Sequence, residues 1–140
     1  MALGLYELIN NINKQIKAIC CKIDSQGGGS QPAYKVYRAL LTQSGYNDPT
    51  AIVLENTIGS ITYRYTSVGN YWIESPFLFT LNKTYVQIGN GSNSNGNASA
   101  VVTTLWDNDS TIIINTWGNS LDQYVDGYLR STSIEIIVYP

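Results

Sequence analysis

The chain of 140 residues contains no histidine. That removes the commonest general base and the commonest metal ligand, so a Ser-His-Asp hydrolase and a histidine-built metal centre are both excluded. Charge is scarce: 13% of residues are Asp, Glu, Lys or Arg, and the formal net charge is −2. Without a basic run there is no electrostatic footprint for nucleic acid. No stretch of 18 apolar residues occurs, which excludes a membrane-spanning helix. Met1 to Leu8 lacks the basic start of a secretory signal. Only two cysteines are present, the adjacent Cys20 and Cys21. Neighbours on a helix point about 100° apart, so they do not bridge each other, and no disulfide framework exists. These features imply synthesis in a reducing compartment.

What is present begins with a heptad. Leu5, Ile9, Ile12, Ile16, Ile19 and Ile23 are spaced 4, 3, 4, 3 and 4 residues apart. With Ile9, Ile16 and Ile23 at a, the d positions are Leu5, Ile12 and Ile19. Isoleucine at both a and d shifts preference from dimers toward trimers or tetramers. The stripe is two positions in seven, narrower than the face of a helix that packs onto its own domain. Fewer than three heptads, about 28 Å of helix, are marginal alone in water. The expectation is a helix over residues 1–24 that trimerises the chain or docks it on a partner, with packing onto its own domain as the alternative.

Residues 25–33 follow as a Gly/Ser-rich linker, which overlaps the stretch DSQGGGSQP from Asp24 to Pro32. Such a coil spans about 15–18 Å and serves either a reorienting head or a plain spacer. Residues 34–140 turn to strand patterns. Ile61, Tyr63 and Tyr65 alternate with Thr62, Arg64 and Thr66; Val86 with Ile88, and Ile134 with Ile136 and Val138, occupy inward positions. The turn Asn56–Ser60 predicts a hairpin between Thr50–Thr57 and the Ile61 strand. Short strands are expected at 70–74 and 77–80, around Pro76, and another pair at 100–106 and 111–117. Eight or nine strands with frequent turns predict a mainly β chain, an antiparallel β-sandwich of jelly-roll type behind a coiled-coil helix. The segment 121–128 reads as a helical turn or a loop, and GNGSNSNGN at 89–97 as a polar loop tip.

No catalytic set emerges. Gly27 to Gly29 lacks the strand before it and the lysine after it that a phosphate loop needs. Carboxylate pairs for glycoside hydrolysis would have to come from Glu55, Glu74, Asp107, Asp109, Asp122 or Asp126, residues that otherwise serve turns and surface. Asp107-Asn108-Asp109-Ser110 is oxygen-rich but lacks the glycine and terminal glutamate of a calcium loop, and Asx-rich turns form for backbone reasons alone. No catalytic residue, cofactor or metal is expected. Trp72, Trp106 and Trp117, with eleven tyrosines, supply either core filling or stacking platforms. Trp106 and Trp117 lie at strand ends, which makes them, with Asp107 and Asp109, the candidate ligand contacts.

Four spaced words carry a resemblance: YKVYRALLTQSG at Tyr34–Gly45, VLENTIG at Val53–Gly59, VGNY at Val68–Tyr71 and NKT at Asn82–Thr84. Together, over roughly Tyr34 to Gly89, the chain resembles small virion-associated proteins of tailed bacteriophages of Bacteroidota, including the crAss-like group. The resemblance implies a virion structural protein, such as a head fibre or capsid decoration, made in the bacterial cytoplasm. Its partners would be two further copies of itself and a capsid or fibre-base protein. The rival expectation is a fibre module that binds a receptor or host-surface glycan.

Overall fold

The computed structural model describes residues 2–26, 33–92, 99–118 and 123–140. The chain divides into two units, Met1–Ala33 and Tyr34–Pro140. The first contains helix α1 (Ala2–Gln26), two residues longer than its expected end. Lys14, Gln15, Lys17, Ala18 and Lys22, all good helix formers, stand between the isoleucines together with the weaker Asn10, Asn11 and Asn13. The first turn has no acidic residue and the last no basic one, so the macrodipole gains no help from charged ends. The expected linker lies mostly outside the described residues.

The second unit is mainly β. Its strands are β1 (Lys35–Thr42), β2 (Thr50–Asn56), β3 (Thr62–Ser67), β4 (Asn70–Glu74), β5 (Thr84–Ile88), β6 (Gly91–Ser92), β7 (Ser99–Asn108), β8 (Thr111–Trp117) and β9 (Thr132–Val138). They form two antiparallel sheets, in the orders β2-β1-β9-β5 and β3-β4-β8-β7-β6. Side chains alternate across each sheet, and one set from each closes a common core. From the first sheet come Tyr37, Ala39, Leu41, Ile134, Ile136 and Val138; from the second come Tyr71, Ile73, Val102, Ile112 and Ile114. Register matches the faces: Tyr37 stands opposite Ile136 and Ala39 opposite Ile134, and Tyr71 opposite Ile114. Deleting one such side chain to alanine costs about 2–5 kcal/mol. Among the described residues, no buried side-chain nitrogen or oxygen lacks a hydrogen bond.

Two local expectations are corrected. The Asn56–Ser60 turn does not close a hairpin. β2 pairs with β1, whereas β3 belongs to the other sheet and pairs with β4. The cause is in the turn itself. Asn56 Oδ1 accepts from the N–H groups of Ile58 and Gly59, each at 3.0 Å, and Thr57 donates its N–H to Val36 O at 2.8 Å. The chain is thereby held to β1 through Thr57, Ile58 is buried, and the segment turns a corner between the sheets. Residues 77–80 form no strand either. Phe77 takes a positive φ of 50° and is exposed, while Phe79 fills the core. Elsewhere Ile52 and Leu54 share a face of the edge strand β2, and that face is open to solvent.

Candidate functional site

The heptad positions on α1 come first. Within the single chain Ile9, Ile12 and Ile16 are 49, 47 and 52% exposed. They lie three and four residues apart, on one helix face. The helix positions of Leu5, Ile19 and Ile23 are part of α1, but their side chains, like those of Cys20 and Cys21, lie outside the described residues.

The acids of the β unit are mostly engaged in holding the fold. Arg38 binds Glu55 and, through Nε at 2.7 Å, Glu135; these two carboxylates raise its pKa further. Arg64 Nη2 lies 3.4 Å from Glu74. Asp48 Oδ1 accepts the Tyr65 N–H at 2.6 Å. Asp107 accepts from the Asn108 amide at 2.7 Å, and Asn108 Oδ1 accepts the Ser110 N–H at 2.8 Å, which is the Asx geometry of a β7–β8 hairpin turn. Among the described residues no cluster of three His, Cys, Asp or Glu side chains is placed to hold a metal. Asp122 lies outside them.

A polar cluster joins β3, β4, the Gln43 that follows β1, and the segment 123–128. Asp126 Oδ1 accepts from the Gly69 N–H at 2.7 Å and the Tyr71 hydroxyl at 2.9 Å, and Oδ2 from the Tyr65 hydroxyl at 3.1 Å. Gln43 is buried; its Oε1 accepts from the Gly127 N–H at 2.7 Å, and its Nε2 donates to Gly45 O at 2.6 Å. Burial, then the bond to Asp126, pushes the Tyr65 phenol up, and burial pushes up that of Tyr71 as well. Both phenols therefore act as donors to the carboxylate. The cluster flanks an open groove of about 550 Å³ that includes Gln43, Asp126 and Leu129. With both Asp126 oxygens and the Gln43 amide oxygen already bonded, the arrangement works as a clamp on the 123–128 segment.

The two candidate tryptophans part company. Trp106 turns inward: it packs against the core and its indole N–H donates to Phe79 O. This corrects its expected place in an exposed pair, and the reason is strand parity, since Val102 and Trp106 share a face of β7. Trp117 faces outward on β8 and stacks on Tyr124, with ring centroids 4.1 Å apart and planes at 33°. Asp107 and Asp109 sit with Trp106 at the β7–β8 turn and are not brought to Trp117: Trp106 pairs with Ile112, whereas Trp117 pairs with Val101. Tyr124 was not singled out by sequence. It lies in an irregular segment, and only the isolated bridge from Trp117 reveals it.

Comparison with family models, with curated proteins and with solved structures finds no match to this chain.

Proposed function

We propose that the chain is a structural subunit of a tailed-phage virion, a homotrimeric head-fibre or capsid-associated appendage assembled through α1. One observation carries the reading: Ile9, Ile12 and Ile16 lie about half exposed on one face of a 25-residue helix. A helix of this kind gains its stability from burying such a face. Isoleucine at a and d selects three strands or four over two, and a parallel three-stranded coil satisfies all copies equally in a closed ring. The β unit is read as jelly-roll-like. Its first and last strands are neighbours, and the chain crosses between the sheets at β2–β3, β4–β5, β5–β6 and β8–β9. The phage attribution is supported by the sequence words between Tyr34 and Gly89.

The test is the double substitution Ile12→Asp with Ile16→Asp. Two buried carboxylates per helix are incompatible with an apolar seam. Sedimentation equilibrium should give a single-chain mass for the variant and three chains for the parent, and purified virions should lose the protein. An unchanged mass with unchanged virion occupancy overturns the proposal.

A further inference from the structure

The outer face of the five-stranded sheet carries a second pattern, independent of the helix. Its side chains fall in rows across the strands, because paired residues in antiparallel strands share a face. Trp72, Ile113 and Leu105 form one row; Asn70, Asn115 and Thr103 the next; Trp117 and Val101 the third. The rows run apolar, polar, apolar. Leu105 and Val101 are 58 and 43% exposed. The first and third rows stand four residues apart along β8, at Ile113 and Trp117, a span of about 13 Å.

Three details show that the face is ordered in advance. Arg64 Cζ sits 5.7 Å from the Trp72 ring centroid, and the same guanidinium pairs with Glu74, so the end of the first row is pinned and carries no net charge. The Asn70 amide donates to Asn115 Oδ1 at 2.7 Å and its own oxygen accepts from Thr66. This fixes the polar row, and among the described residues nothing accepts from Asn115 Nδ2. Tyr124 is held over Trp117 by a backbone bridge: Val125 N–H to Thr116 O and Gly118 N–H to Gln123 O, both at 3.0 Å, with Thr116 Oγ1 donating to Val125 O. The Asp126 clamp secures the far side of that segment.

We propose that this face is a binding platform for a neutral oligosaccharide, with the Trp117–Tyr124 pair and Trp72 as stacking surfaces and Asn115 and Thr103 as the hydroxyl-reading groups between them. The chemistry matches the rows. The C–H face of a pyranose packs on an aromatic ring, and amides and hydroxyls bond the equatorial oxygens. A 13 Å span accommodates more than one sugar ring. Nucleic acid or an anionic surface would require cations, and among the described residues of the face the one cation, Arg64, is already paired with Glu74. A protein partner calls for a desolvated apolar centre, whereas here the centre of the face is its polar row.

The experiment titrates the full chain with cellohexaose, chitohexaose and mannohexaose, followed by tryptophan fluorescence. At least one should give a saturable change that is insensitive to salt. Trp117→Ala and Tyr124→Ala should each weaken it by about tenfold or more, Asn115→Ala by about fivefold, while Trp117→Phe, which keeps an aromatic face, stays within about threefold of the parent and Phe77→Ala, on a separate loop, leaves it unchanged. Absence of a saturable signal from all three sugars overturns the proposal. So does a signal that survives Trp117→Ala combined with Asn115→Ala. A fall in assembly mass in the Trp117→Ala variant also overturns it, because the face would then be a contact between copies. The sugar titrations do not depend on α1, so failure of binding and failure of the trimeric reading are separable.

Discussion

At the scale of single residues, Gly69 shows how a backbone requirement underlies a surface. Its φ is +64°, and a Cβ there would meet Thr116 O and Val125 N at 2.7 Å. Both atoms belong to the bridge that holds Tyr124 on Trp117. Gly69→Ala should therefore cost roughly 3 kcal/mol or more, read as a lower urea midpoint with little change in slope. The tyrosines give a second expectation. Burial holds the phenols of Tyr63 and Tyr71 above their ordinary value, which is about 10. The folded state then keeps protons that the unfolded chain releases. Stability is fully present below about pH 10 and is lost as pH rises beyond it. Melting of the β unit followed from pH 7 to 11 should be flat to about pH 9.5 and fall above, less steeply in Tyr63→Phe. A steady fall between pH 7 and 9 would contradict this. Tyr63 and Tyr65 stand at inward positions in the alternation, so their burial was legible; the burial of Tyr71 and the partners of all three hydroxyls, 26 to 61 residues away, were not.

At the scale of elements, β7 and β8 divide the tryptophans. Trp106 is part of the inner layer, so Trp106→Ala should destabilise by about 3 kcal/mol, whereas Trp117→Ala on the outer layer should stay within about 1 kcal/mol. Parallel thermal melts of the two variants check this, and equal losses would mean that the faces are misassigned. The strand positions were readable from period-two alternation: Ile134, Ile136 and Val138 face inward as their spacing predicts. Trp106 lies at a strand end, where exposure is expected, but it shares the parity of the buried Val102 and turns inward with it. The pairing of β2 was not readable. An Asn-to-Gly turn is compatible with a hairpin or a corner, and the decision belongs to Thr57, whose bonds to Val36 are 21 residues distant in sequence. The platform on the second sheet was missed for a related reason. Trp72, Asn115 and Trp117 become neighbours only through the β4–β8 and β7–β8 registers, and single strands do not carry register.

At the scale of the whole molecule, two units have different needs. Tyr34–Pro140 has a core drawn from both of its sheets. Helix α1 shows half-exposed isoleucines and no charge help at its ends, and copies of itself are proposed to cover them. Where assembly resides is therefore the central question for the molecule. The most direct test is light scattering on the full chain, of 15.5 kDa, beside a chain that begins at Gln31. The account predicts three chains per particle for the first and one for the second. Three chains in both would place the assembly in the β unit and leave α1 as a docking peptide; one chain in both would contradict the trimeric seam outright.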